Sequence, residues 1–147
     1  MGALELMIRE MVESYVQSVG RHEGNPYLAD PPERWALQIW AVVMEGQGYQ
    51  VPHVHPAAWL SGVYYPIVPG SATVAAEAPD GSESKAGWLE FGRPFPRRRT
   101  TAPPRLRTIR PEEGLMVLFP PYFLHSTVPF ESEETRISIA FDVKPVA

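Results

Sequence analysis

Apolar residues in the first stretch of the chain recur at steps of three and four. Leu4, Met7, Ile8, Met11, Val12, Tyr15, Val16 and Val19 therefore share one side of a helix over residues 3–20. Gly20 is placed to stop that helix, and its stripe calls for a sheet to pack on. Residues 21–33 are polar, contain Pro26, Pro31 and Pro32, and read as a connecting loop in which His22 is a solvated side chain. From residue 35 onward the period changes. Short runs rich in Val, Ile, Phe, Tyr and Trp alternate with prolines and glycines, the pattern of many short strands joined by turns. Residues 35–44 are apolar enough for a buried strand, closed by a Gly46-Gln47-Gly48 turn, and residues 49–55 return as a second strand. Further strands are expected at 59–68, 71–76, 87–91, 107–110, 114–119, 125–130 and 136–143, with a turn at 79–82. Residues 93–104 are too rich in proline for regular structure and read as a surface loop. The confident runs give about eight strands behind one helix, the number of a double-sheet, cupin-like jelly roll. An immunoglobulin-like sandwich competes, but gives no reason for histidines at strand ends.

Composition narrows this little. A chain of 147 residues, 44% hydrophobic and 20% charged, fits one globular domain, with the helix in 1–21 and the jelly-roll core in 35–144. The net charge of −4 argues against nucleic acid or an acidic membrane surface as partner. No apolar run reaches the roughly 20 residues of a membrane span, and no signal peptide opens the chain, so a cytoplasmic location is the default expectation. Cysteine is absent, so any metal must be held by nitrogen and oxygen.

The candidate chemistry begins at Pro52-His53-Val54-His55-Pro56. Side chains of an extended backbone alternate with period two, so the two imidazoles face the same way and can grip one ion. His125, after the apolar run 115–124, offers a third, and these three are most of the four histidines in the chain. Each alone is more simply a structural histidine, and a degenerate site would leave a non-catalytic jelly-roll binding module. On the last strand Arg136 and Ser138, two apart, face the same way. A buried guanidinium needs a partner, either a ligand carboxylate or Glu131, Glu133 or Glu134 in the acidic loop before it. Only one of Tyr64 and Tyr65 can point inward, and continuing the phase of His53 and His55 selects Tyr65. Trp40, Trp59, Trp88, Phe119 and Phe141 read as core, with Trp59 also near enough to the histidine pair to line a pocket. The run Arg97-Arg98-Arg99 reads as solvated, with a lid for an acidic substrate as the alternative.

Several of these pieces together resemble the iron- and 2-oxoglutarate-dependent oxygenases, in a branch with an HxH motif. They are His53-x-His55-Pro56, Leu60-Ser61-Gly62-Val63-Tyr64-Tyr65, Ile109-x-Pro111-x-x-Gly114-Leu115-x-Val117-Leu118-Phe119-Pro120, His125, Pro129 and Arg136-Ile137-Ser138-Ile139-Ala140-Phe141. The resemblance runs over residues 35–143, and its order and spacing are its specific part. It implies a double-stranded β-helix, Fe(II) as metal, 2-oxoglutarate as co-substrate, O₂, and a small-molecule or peptidyl substrate. His53 and His125 match the two histidine ligands. His55 stands where the wider superfamily has Asp or Glu, a departure that points to a three-histidine site or to a shell completed by water or another carboxylate. Arg136 and Ser138 match the residues that hold the distal carboxylate of 2-oxoglutarate, and Tyr65 could add its hydroxyl. A cupin-like three-histidine metalloenzyme that ignores 2-oxoglutarate is the rival, and the exposed side of the N-terminal helix leaves a homodimer open.

Overall fold

The computed structural model describes residues 2–20, 23–73, 83–98 and 100–146. The expectations for His22, for Arg99, for the turn at 79–82 and for the strand end at 74–76 lie outside the described residues. Helix α1 (Ala3–Val19) forms as its periodicity predicts and buries Ile8 and Val12 completely. An i,i+4 pair between Glu5 and Arg9 (3.1 Å) supports its exposed side. Gly20 ends it at φ +64°, its N–H donating to the Val16 carbonyl. The loop that follows carries one further turn, α2 (Pro26–Ala29), capped where the Asn25 side chain accepts from the Tyr27 N–H.

Among the described residues seven strands follow: β1 (Trp35–Gly48), β2 (Leu60–Ile67), β3 (Leu89–Phe91), β4 (Arg107–Ile109), β5 (Met116–Phe119), β6 (His125–Thr127) and β7 (Phe130–Pro145), with a helical turn α3 (Gly70–Thr73) where the start of a short strand was expected. They pair antiparallel in two sheets, ordered β1-β7-β2-β5 and β4-β3-β6. Val63, Tyr65 and Phe119 of the first sheet pack on Leu89 of the second, with Phe91 and Ile109 against them, so the sheets face each other across one core. On the outer side of the first sheet, Leu60, Phe141 and Val143 receive Ile8 and Val12 of α1. The fold is therefore mainly β, a jelly-roll sandwich behind an N-terminal helix.

Four expectations change. Residues 35–44 do not form a fully buried strand: β1 lies at the sheet edge, half-buried, with Val43 56% exposed. Gly46 does not turn the chain. Its positive φ of +73° accommodates a register shift after Met44, and β1 continues to Gly48 against Phe130. The acidic stretch 131–135, expected as a loop, is strand for the same reason, since the continued β1 gives it a partner. Residues 49–55 contain no regular strand. They run extended beside β6, joined by Thr127 N–H to the Gln50 carbonyl (3.1 Å) and by a single bridge between His53 and His125. This irregular edge occupies the eighth position that the sequence pattern called for.

Gly62 shows how closely a side chain of the neighbouring strand approaches β2. It pairs with Phe141, and a Cβ at Gly62 would lie 2.3 Å from the Phe141 ring, so only glycine lets that ring lie flat over β2.

Candidate metal centre

His53 and His125 exchange both backbone hydrogen bonds, 3.0 and 3.1 Å long, which staples the extended segment to the start of β6. The N–H of His55 donates to the Pro121 carbonyl at 2.9 Å and fixes the second half of the pair. The three rings meet in one place. Their centroids lie 4.2 Å apart for His53 and His125 and 5.1 Å apart for the other two pairs, and one ligand atom of each lies within 4.8 Å of the others.

The outward nitrogens decide what the inward ones can do. Nδ1 of His53 meets the Val51 carbonyl at 2.8 Å, and Nδ1 of His125 meets the Phe123 carbonyl at 2.9 Å. Nδ1 of His55 meets Oδ1 of Asp142 at 2.7 Å. A carbonyl or carboxylate only accepts, so each Nδ1 carries a hydrogen, and in the neutral ring it is Nε2 that keeps the lone pair. Nε2 of His55 is buried with no partner at all. Three imidazoles, each fixed from behind by an acceptor, form a donor set suited to a divalent transition metal. Asp142 is itself held by the Ser61 hydroxyl at 2.7 Å, across the register that pairs Ser61 with Asp142. Burial pushes the Asp142 carboxyl up, but the bonds from His55 and Ser61 outweigh it and keep the group below its ordinary value.

Burial, with the neighbouring imidazoles adding to it and the Phe123 carbonyl opposing it, pushes His125 down to about 4. The unfolded chain then binds more protons than the folded one between pH of about 6.5 and 4. Stability of the metal-free protein is full above that window and falls through it on acidification, by about 2–3 kcal/mol from this group. Urea unfolding at pH 7, 5.5 and 4 measures the loss, and His125→Gln is expected to show a shallower pH dependence.

On β7 the inward positions are Arg136, Ser138, Ala140 and Asp142, opposite Met44, Val42, Trp40 and Gln38 of β1. The first three share a cavity of about 170 Å³ with the three histidines, Tyr65, Trp40, Gln50 and Thr127. Arg136 is 2% exposed, yet its Nε and Nη1 have no hydrogen-bond partner. Its guanidinium lies over the rings of Tyr65 (5.5 Å) and Phe130 (5.3 Å). Two of the three expected alternative partners are engaged elsewhere, Glu131 with Gln47 at 2.9 Å and Glu134 with the Gly70 N–H at 2.8 Å, and no ion pair to Arg136 occurs among the described residues. Burial lowers the Arg136 value and raises that of Tyr65, each opposed by the other group. Arginine stays charged throughout, so the cavity contains a cation with donors to spare.

The structure thus brings His53, His55, His125, Arg136, Ser138 and Tyr65 to one cavity, and it is Tyr65, not Tyr64, that lines it. Trp40 is not core: its ring stacks on His55 with centroids 5.7 Å apart and lines the cavity. Trp59 does both, packing toward α1 and lining, with Tyr27, Tyr122 and the other flank of His55, a second hollow of about 600 Å³. Arg97 and Arg98 are exposed, as expected. Asp142 was not anticipated. The signal was present in the alternation of β7, because Arg136, Ser138 and Asp142 share its phase.

A family described as "Putative 2OG-Fe(II) oxygenase" matches residues 38–142. The chain belongs to that family. No curated protein matches it. The match covers the histidine pair, His125 and the inward face of β7, which are the parts of this oxygenase-family chain that meet in the cavity. Among the described residues no helix is long and apolar enough to cross a membrane.

Proposed function

We propose that the protein is an Fe(II)- and 2-oxoglutarate-dependent dioxygenase. One observation carries the reading: a single cavity holds three clustered imidazoles and, on the inward face of β7, a buried guanidinium with unpartnered donors. His53, His55 and His125 would hold the metal through Nε2. Arg136 would receive the distal carboxylate of 2-oxoglutarate, with the Ser138 and Tyr65 hydroxyls beside it, because a planar guanidinium binds a carboxylate with both charge and direction. Bound there, Fe(II) would supply the O₂ chemistry that couples decarboxylation of 2-oxoglutarate to succinate with hydroxylation of a second substrate. The chain's own contribution is orientation and exclusion of water. Trp40, Phe119 and Leu89 line the same cavity with apolar surface, which strengthens the charged contact between Arg136 and a carboxylate.

Anaerobic addition of Fe(II) and then 2-oxoglutarate is expected to produce the metal-to-ligand charge-transfer band of the chelated oxoacid. Its absence in fully metallated protein rejects the co-substrate. The all-nitrogen donor set also favours a second reading, a cupin-like metalloenzyme that places its substrate directly on the metal. That enzyme would have no need of Arg136, so substitution of this residue separates the two.

A further inference from the structure

We infer that Asp142 is the positioning residue of the metal centre, supplying from behind His55 the carboxylate that no imidazole ligand can. The inference rests on the three-histidine reading of the site and goes beyond it. An Fe(II) site built from two histidines and a carboxylate has one negative charge in direct contact with the ion, whereas the three ligand candidates here are neutral. The negative charge lies one ring away. Asp142 Oδ1 is 2.7 Å from His55 Nδ1, the side chains of both residues are almost wholly buried, and the Ser61 hydroxyl donates to the same oxygen at 2.7 Å. The carboxylate is therefore held in one place without touching the ion's position. Its effect on His55 is threefold. It fixes the hydrogen on Nδ1, it fixes the plane of the ring, and it makes Nε2 a stronger electron donor.

The three rings differ in this respect. His53 and His125 lean on carbonyls of their own segments two residues back, at Val51 and Phe123. Those contacts come with the local backbone and would survive a change anywhere else in the fold. His55 leans on a residue 87 positions away, brought to it by β7. It is also the one histidine of the three whose Nε2 is buried with no partner, so its orientation matters most when no ion is bound. Ser61 prevents the carboxylate from turning away, and its place opposite Asp142 in the β2–β7 register makes it part of the same device.

The test uses Co(II), a divalent ion with a visible spectrum, and histidine ¹⁵N shifts of the metal-free protein. In Asp142→Asn the amide oxygen still accepts from Nδ1, so the shifts should report the same His55 tautomer while Co(II) affinity falls by about 10- to 100-fold. In Asp142→Ala the affinity should fall further and the His55 shifts should show mixed tautomers, with those of His53 and His125 unchanged. Ser61→Ala gives an intermediate loss and serves in place of Asp142→Ala if that variant does not fold. Wild-type affinity in both Asp142→Asn and Ser61→Ala overturns the inference while the three-histidine site stands. Failure of the wild-type protein to bind Co(II) overturns both.

Discussion

His125→Ala is expected to abolish stoichiometric metal binding while leaving the fold in place. In the proposed site the imidazole would contribute one of three nitrogens, and losing a direct ligand should cost at least as much affinity as losing a group behind one, about 100-fold or more. The fold should survive because the two bonds that staple His125 to His53 run through the backbone and remain in alanine. Above pH of about 6.5 the imidazole is neutral in the folded and the unfolded chain alike, so its removal leaves no charge buried. Metal content after desalting, with circular dichroism as the control, measures the effect. His53→Ala should behave alike, because its ring is held by an equivalent contact to a carbonyl two residues back. Retention of one equivalent of metal in either variant would mean that the ion, if bound, sits elsewhere.

The second large effect has two opposite signs in one variant. Arg136→Met should eliminate 2-oxoglutarate binding and raise the stability of the ligand-free protein, by about 1–4 kcal/mol. Arg136 is 2% exposed, with two unpartnered nitrogens and no carboxylate in contact. Its contacts with the Tyr65 and Phe130 rings offset only part of that desolvation. A methionine of similar length fills the space with apolar atoms. Thermal melts of the metal-loaded variant, with and without 2-oxoglutarate, report both effects. Wild type should gain stability from the oxoacid by mass action, and the variant should start higher and gain nothing. A variant less stable than wild type without ligand would show that Arg136 is a structural pair and not a binding group.

What the sequence made legible was local. The helical stripe of α1, the shared facing of His53 with His55 and of Arg136 with Ser138, and the choice of Tyr65 over Tyr64 each follow from a period of 3.6 or two over a few residues. What stayed hidden depended on which strands become neighbours. Residues 35–44 look buried because they are apolar, but their place at the sheet edge is a property of sheet order, which apolar content does not encode. Gly46 is compatible with a turn or a bulge, and only the presence of β7 opposite it decides between them. Asp142 lies in phase with Ser138, yet its meaning comes from registers that set Ser61 opposite it and from the long return that brings His55 to it. Long-range pairing placed every residue that local pattern missed.

Strand β7 carries two messages in alternate letters. Ile137, Ile139, Phe141 and Val143 face one way, the last two toward α1. Arg136, Ser138, Ala140 and Asp142 face the other, toward the histidine-lined cavity and the back of His55. The first set can drift among apolar residues and change stability alone, and the second can change chemistry with little effect on packing. Inserting or deleting one residue would exchange the two texts along the rest of the strand. Either alteration would place an aspartate against the helix and an apolar side chain behind His55, so this segment should tolerate spelling changes far better than changes in length.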